Sequence, residues 1–226
     1  SNQIRSFELT DDGIKIGPFG SQLKLDYMIG SGYKVYGQAH VIAADFVRGT
    51  KFVDEQKFNE LSACAVRAGD LLLTMMGSTG RCALVPDGAE AGIMDSHLLR
   101  LRPNEASVVG RFAALVIDQA PYVKEQLVVA GKGSIMHGLN SGMGKNIIVV
   151  IPPVPEQSAI VRFLDYADRR IRRSISAKLK LITLLEEQKQ AIIYRAVTRG
   201  LDSNVPLKPS GVEWLADVPG HWEVWQ

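Results

Sequence analysis

Short apolar runs cut by Gly, Pro and Asp dominate the chain up to about Val150. Interrupted runs of this kind predict strands joined by turns, because leucine-rich and β-branched segments suit a pleated surface and turn residues bound them. Val35 to Val41, Ala65 to Thr74, Cys82 to Val85, His97 to Arg102 and Ile147 to Ile151 read as strands, with Gly69-Asp70 marking a turn before Leu71-Leu72-Leu73-Thr74. Val108 to Val129 is different: Val109, Phe112, Ala113, Val116, Ile117, Ala120 and Val123 recur at three- and four-residue spacing, which puts them on one face of a helix. Residues 1–150 therefore read as an α+β domain with a strand-rich body.

Pro152, Pro153 and Pro155 make residues 151–155 a stiff connector, since each proline fixes its own φ and turns the preceding residue away from helix. From Glu156 to Arg199 there is neither Pro nor Gly, and Ile160, Leu164, Ala167, Ile171, Ile175, Leu179, Ile182, Leu185, Ile193 and Ala196 keep helical spacing. The 44 residues of this run would make a rod of about 66 Å at 1.5 Å per residue. Its aliphatic stripe, flanked by Arg169, Arg170, Arg172, Arg173, Glu186 and Glu187, calls for a second helix alongside, as in a coiled coil. Pairing with another copy, antiparallel, through Ile160, Leu164, Ile171, Ile175, Leu179, Ile182, Leu185 and Ile193 is the expectation. Gly200 stands where a left-handed cap belongs and Pro206 follows, so residues 156–200 delimit the helix. The tail, 201–226, holds Trp214, Trp222 and Trp225 without a core of its own and reads as the truncated start of a further domain.

Composition changes this picture little. The chain has 226 residues, 46% of them hydrophobic, enough to bury a core in its larger part. No run of about 18 apolar residues occurs and no basic-then-apolar leader is present, so the expectation is a cytoplasmic protein without membrane attachment. Cys64 and Cys82 read as reduced core residues. Net charge is +2, with 15 Lys+Arg against 15 Asp+Glu in residues 1–154 and 11 against 9 in 155–226. A balance this even argues neither for nor against a nucleic-acid partner, which depends on where charges cluster.

Catalytic chemistry finds little footing. Gly138 to Asn146 resembles a phosphate loop only in part: Leu139 stands where the first Gly is needed and Asn146 where a Ser or Thr would hold magnesium. No Asn-Pro-Pro-aromatic or Asp-Pro-Pro-aromatic segment, Gly-x-Ser-x-Gly elbow or His-Glu-x-x-His helix occurs. His40, His97, His137 and His221 are scattered; Asp95 and His97 could share a metal, but no third ligand lies close, and a turn-and-strand role is the plainer reading.

The last third of the chain carries a family likeness. Ile151-Pro152-Pro153-Val154-Pro155-Glu156-Gln157, Ile160-Val161-Arg162-Phe163-Leu164-Asp165 and Leu184-Leu185-Glu186-Glu187-Gln188-Lys189-Gln190-Ala191-Ile192-Ile193 resemble the spacer of type I restriction-modification specificity subunits. The likeness continues through Ala196-Val197-Thr198-Arg199-Gly200-Leu201-Asp202 to Ser210-Gly211-Val212-Glu213-Trp214-Leu215, Val218-Pro219 and His221-Trp222-Glu223-Val224. In the first part, Gly17-Pro18-Phe19-Gly20-Ser21, Val35-Tyr36-Gly37-Gln38, Gly69-Asp70-Leu71-Leu72-Leu73-Thr74-Met75, Gly77 to Cys82 and Gly92-Ile93-Met94-Asp95-Ser96-His97-Leu98 are similar to recognition domains of that family.

The resemblance implies a target-recognition domain in 1–150 and a conserved spacer helix in 156–200, where a full subunit carries two of each with the helices packed antiparallel. It implies double-stranded DNA, modification (methyltransferase) subunits and restriction subunits as partners. It also implies that S-adenosylmethionine, ATP and Mg are bound by those partners, leaving this chain without cofactor or catalytic site. The competing reading is a coiled-coil scaffold with a protein-binding head.

For a DNA reader, loops rich in hydrogen-bonding side chains and glycine are the candidates. Gln38 can make a bidentate contact to adenine, with His40 beside it, and a polar strand end is an equal reading of the same residues. Arg81, in Gly77-Ser78-Thr79-Gly80-Arg81, suits phosphate or guanine, although the match of this stretch to the family pattern makes a structural turn the plainer reading. Gly131 to Lys145 has five glycines, two lysines and no acid, so Lys132 and Lys145 could follow the backbone while Ser134, His137 and Asn140 reach base edges, the alternative being a plain surface loop tolerant of glycine.

Overall fold

The computed structural model describes residues 8–18, 22–76, 80–132, 147–215 and 217–224, with the backbone alone at 11–12 and 130–132. The chain divides into two compact units, Ser1–Phe163 and Leu164–Gln226.

Among the described residues the first unit contains two four-stranded sheets. In the first, β1 (Leu9–Ile16), β8 (Leu98–Pro103), β5 (Leu71–Thr74) and β6 (Cys82–Leu84) lie side by side, each antiparallel to its neighbour. The second has the order β3 (Phe52–Val53), β2 (Tyr33–Tyr36), β7 (Gly92–Met94), β4 (Ala65–Val66), with β2 and β7 parallel. Gly92 makes that parallel pairing possible: a Cβ there would lie 2.1 Å from the carbonyl oxygen of Lys34.

The first sheet is covered on both faces, which explains why Leu71-Leu72-Leu73 is an unbroken apolar run. Successive side chains leave opposite faces of a strand. Leu71 and Leu73 therefore join Leu99 and Leu101 beneath Ala113 and Ile117 of α3 (Gly110–Gln119) and Val123 and Leu127 of α4 (Pro121–Lys132). Leu72 turns the other way, to Tyr36, Val41, Phe46 and Met94. A smaller cluster of Val35, Val53, Leu61 and Ile93 packs with Leu23, Met28, Tyr33 and Phe58.

Several elements differ from the sequence expectation. Strand β2 stops at Tyr36, and Gln38–Ala43 is a short helix, α1, so Val35 to Val41 is not one strand. Ala65 to Thr74 is two strands parted by the turn at Gly69, whose φ is +85°. The helix expected over Val108 to Val129 breaks at Ala120, held extended at ψ 121° by Pro121. Pro121 then opens α4, where a missing N–H costs nothing.

Ile147 to Ile151 is not a ladder strand. The backbone of Ile148 bonds instead to the Gln126 side chain, at 2.8 Å through its N–H and 3.0 Å through its carbonyl, and the Val150 N–H donates to the Tyr122 hydroxyl. β1, β3, the short helix α2 (Glu55–Glu60) and β7 add elements that the apolar pattern did not single out.

One helix, α5 (Val154–Arg199), runs 46 residues, about 69 Å of rise. It begins two residues earlier than the proline pattern suggests, taking Pro155 into its first turn. Its C-terminus is closed by Gly200, at φ +76°, whose N–H donates to the Ala196 carbonyl. The tail is not without partners: β9 (Leu207–Lys208) pairs antiparallel with β10 (Val218–Pro219), and Val218 is buried. Trp222 lies against the Gly200 cap, while Trp214 is exposed.

Candidate functional site

Helix α1 and the turn after it hold the first pair of candidate residues. Gln38 is the first residue of α1 and half-buried. His40 is buried, and both ring nitrogens are occupied by backbone. The Gly37 N–H donates to Nδ1 at 3.0 Å and Nε2 meets the Arg48 carbonyl at 2.9 Å, which assigns the proton to Nε2. His40 thus caps α1 and holds the chain eight residues on. The buried ring of His40, named as a DNA-binding candidate beside Gln38, bonds to the backbone of Gly37 and Arg48.

The turn it supports is bound from several sides. Ala44 adopts a left-handed conformation (φ 49°, ψ 39°) that closes α1. Asp45 accepts the N–H groups of Val47 and Arg48 through Oδ1. Phe46 enters the core beside Tyr36, ring centroids 5.7 Å apart. Lys34, fully buried on β2, donates through Nζ to the Val47 carbonyl and to Glu90 Oε1, both at 2.6 Å. Gly49 crosses the His40 ring at φ +98°, where a Cβ would lie 2.7 Å from Nε2. A buried ammonium carries a large desolvation cost, so a lysine held to a backbone carbonyl is an emphatic constraint. Tyr36, whose hydroxyl donates to the Glu90 carbonyl at 2.7 Å, has its phenol pushed up to about 12, first by burial and then by the Glu90 charge.

Arg81 is engaged too. Its Nε donates to Asp118 Oδ1 at 2.8 Å, and the same oxygen accepts the Cys82 N–H at 3.0 Å. Burial by itself would raise the Asp118 carboxyl, but the hydrogen bonds from Arg81, Cys82 and Gln119 outweigh it and hold the group below the usual carboxylate range. Arg81 therefore ties β6 to α3 and remains 40% exposed.

Asp95 accepts the His97 N–H at 2.9 Å, a turn-and-strand arrangement. Its carboxyl is raised by burial, against the opposing pull of His97 and His40. No group of three or more His, Cys, Asp or Glu able to hold a metal occurs among the described residues. Cys64 and Cys82 are unpaired and buried, and burial pushes both thiols up, so neither is a reactive thiolate.

Ser134, His137, Asn140 and Lys145 lie outside the described residues, and of Lys132 only the backbone is described. The helical stripe is described in full: Leu164, Ile171, Ile175, Leu179, Ile182, Leu185 and Ile193 are 40–60% exposed, and Ile160 is half-buried. Sequence reasoning overlooked Gln157. Its side chain is wholly buried, accepting the Val109 N–H at 2.8 Å and donating to the carbonyls of Ser107 at 3.0 Å and Pro152 at 2.8 Å. The amide after a proline connector was the available signal. No helix among the described residues is long and apolar enough to cross a membrane.

The first unit is a mixed α+β fold, and the 46-residue helix carries an exposed aliphatic stripe. The profile of the type I restriction modification DNA specificity domain matches residues 25–181, and the chain belongs to that family.

A putative type I restriction enzyme specificity subunit, MjaX, from Methanocaldococcus jannaschii is 22% identical over 176 residues, 76% of this chain and 40% of that protein. Among solved structures, one described as the structural basis of complex assembly and conformational transition of the type I R-M system is 19% identical, with a TM-score of 0.59 over 81% of this chain and 42% of that one. The HsdS subunit from Thermoanaerobacter tengcongensis is 19% identical, with a TM-score of 0.52 over 65% of this chain and 37% of that one. The chain thus shares the α+β specificity-subunit fold and spans about two fifths of the length of these relatives.

Proposed function

We propose that the chain is a sequence-specific DNA recognition subunit of a type I restriction-modification complex, reading one half of a bipartite target and docking modification subunits. The observation that carries this reading is the uncovered stripe from Leu164 to Ile193 on the long helix of a specificity-family chain. Aliphatic side chains at helical spacing lose free energy by remaining in water and gain it by mating with a like helix. Two copies joined antiparallel would hold two recognition units at a set separation, so that specificity resides in spacing as well as in contacts.

The work is cytoplasmic, and the chain itself catalyses nothing. Methyl transfer, with S-adenosylmethionine, belongs to the modification subunits, and chemistry requiring ATP and Mg belongs to the restriction subunits. A docked modification subunit would extrude the target adenine before methylating it. Gly131 to Lys145 supplies backbone contacts through Lys132 and Lys145, with Ser134, His137 and Asn140 directed to bases and Gln38 as a further contact.

The test is methylation-motif sequencing of cells carrying the chain with its modification subunits, together with DNA binding over a salt series. A split motif, and affinity that falls steeply with salt, are expected. Lys132→Ala with Lys145→Ala should weaken binding to every duplex and flatten the salt dependence. An assembled complex that binds no DNA, or methylates without sequence preference, would refute the reading.

A further inference from the structure

The turn from Asp45 to Lys51 combines a backbone held by several hydrogen bonds with exposed side chains at Val47, Arg48, Thr50 and Lys51. Lys34 Nζ holds the Val47 carbonyl at 2.6 Å, His40 Nε2 holds the Arg48 carbonyl at 2.9 Å, and Asp45 Oδ1 takes both N–H groups. The Val35 N–H donates to the Lys51 carbonyl at 2.9 Å, fixing the far end to β2. Phe46 is sunk in the core on one side, and Val47, next in sequence, is 84% exposed on the other. Arg48, Thr50 and Lys51 are also exposed, and the side chains of Arg48 and Lys51 make no hydrogen bond or ion pair with any described residue.

These facts need a common explanation. Two buried polar side chains, His40 and the Lys34 ammonium that also pairs with Glu90, bond to backbone carbonyls of this surface turn, although water could satisfy those carbonyls. What the arrangement achieves is position: it fixes where the Val47 and Arg48 side chains leave the surface. An exposed, unpaired guanidinium on a rigid support is preorganised for a fork of two hydrogen bonds. A bare isopropyl group beside it is suited to an apolar contact. Those are the groups that a guanine edge, with acceptors O6 and N7, and a thymine methyl present in the major groove.

Resting on the DNA-reading function proposed above, we infer that Asp45–Lys51 is a base-reading element of this chain. Arg48 takes the O6 and N7 acceptors of a guanine, Val47 meets the methyl group of a neighbouring thymine, and Lys51 faces phosphate. His40 acts through Arg48 as a positioning residue. A short polar stretch in the first unit's surface thus becomes a determinant of one or two bases of the target.

The experiment uses the chain assembled with its modification subunits, in wild-type form and as Arg48→Ala, Arg48→Lys and Val47→Ala. Each is measured for binding to cognate and scrambled duplexes and for methylation motif in cells. Both side chains are exposed, so the melting transition should stay unchanged. Arg48→Ala should lower cognate affinity about 10- to 100-fold, leave scrambled binding nearly unaltered, and relax the motif at one guanine. Arg48→Lys should relax the same position while keeping the salt dependence, because the charge remains and the fork is lost.

Variants that keep the wild-type motif and affinity would overturn the inference and leave the DNA-reading function standing. Equal weakening on cognate and scrambled duplexes, with a shallower salt slope, would mark a phosphate contact and overturn the base-reading role. A wild-type complex with no preference among duplexes would bring down the proposed function, and this inference with it.

Discussion

The side-chain oxygen of Gln157 accepts the backbone N–H of Val109 at 2.8 Å, which fastens the first turn of α5 to the N-cap of α3. The same amide donates to Ser107 and Pro152, so one buried side chain joins the loop before α3, the proline connector and the helix. Gln157→Leu removes all three bonds and leaves a buried donor and two carbonyls unsatisfied. A loss of about 2–4 kcal/mol follows, at 1–3 kcal/mol for each buried polar group orphaned and partly rehydrated. Gln157→Glu keeps the acceptor and loses both donors, so it should also destabilise. Chemical denaturation of the chain measures this; a change under about 0.5 kcal/mol would show the joint to be incidental.

Asp70 offers a second test inside the same unit. Its carboxylate is buried and takes Arg102 through two nearly parallel bonds, Nε to Oδ1 at 2.7 Å and Nη2 to Oδ2 at 3.0 Å, while Oδ2 also accepts the Arg67 N–H at 2.8 Å. Asp70→Ala should destabilise the fold, because the largely buried Arg102 guanidinium loses two hydrogen bonds and the Arg67 N–H loses its acceptor. Replacing both partners, as Asp70→Ala with Arg102→Met, should recover part of that loss. A double variant no more stable than Asp70→Ala alone would mean that the turn at Arg67, and not the charge pair, dominates.

Which features the amino-acid pattern reveals depends on whether their cause is local. The central strands and the long helix follow from neighbours in sequence: Leu71-Leu72-Leu73 is apolar on both faces, and no Pro or Gly interrupts Glu156 to Arg199. The end of α3 was equally local, since Pro121 forces Ala120 out of helix, but the apolar spacing running through it masked the signal. His40 and Arg81 were visible as polar residues in or near glycine-bearing loops, yet their roles hang on atoms far along the chain or on a bend in it. His40 reaches Arg48 through a turn made possible by Gly49, and Arg81 reaches Asp118 across a sheet-to-helix contact 37 residues away. Nor does anything near Lys34 mark it for burial; only the pairing of β2 between β3 and β7 encloses it.

Acid stability should report the Asp118 site. Because its folded-state carboxyl lies below the ordinary value of 3.8, the ionised form is favoured by folding. That contribution is fully present above the ordinary value and is lost as pH falls from there through the depressed folded value. Stability measured from pH 6 to pH 2 should therefore drop less steeply for Asp118→Asn than for wild type, with the two curves converging at the acid end. Parallel curves across the whole range would exclude Asp118 as a contributor to the acid limb.

The exposed stripe of the long helix allows the proposed pairing to be tested. Ile175 and Ile182 sit on the exposed stripe, each 52% accessible, so a carboxylate at either position is harmless to an isolated chain. In a paired helix the same carboxylate would be buried against aliphatics, where an unpaired charge is strongly disfavoured. On the proposed antiparallel pairing, Ile175→Glu with Ile182→Glu should leave the melting of the first unit unchanged while lowering the mass in light scattering to that of one chain. If the proposed pairing joins two recognition units on a split motif, methylation should fall in parallel with any loss of association. A double variant that stays dimeric would place self-association elsewhere, and a wild-type chain that is monomeric at high concentration would remove the paired-helix arrangement altogether.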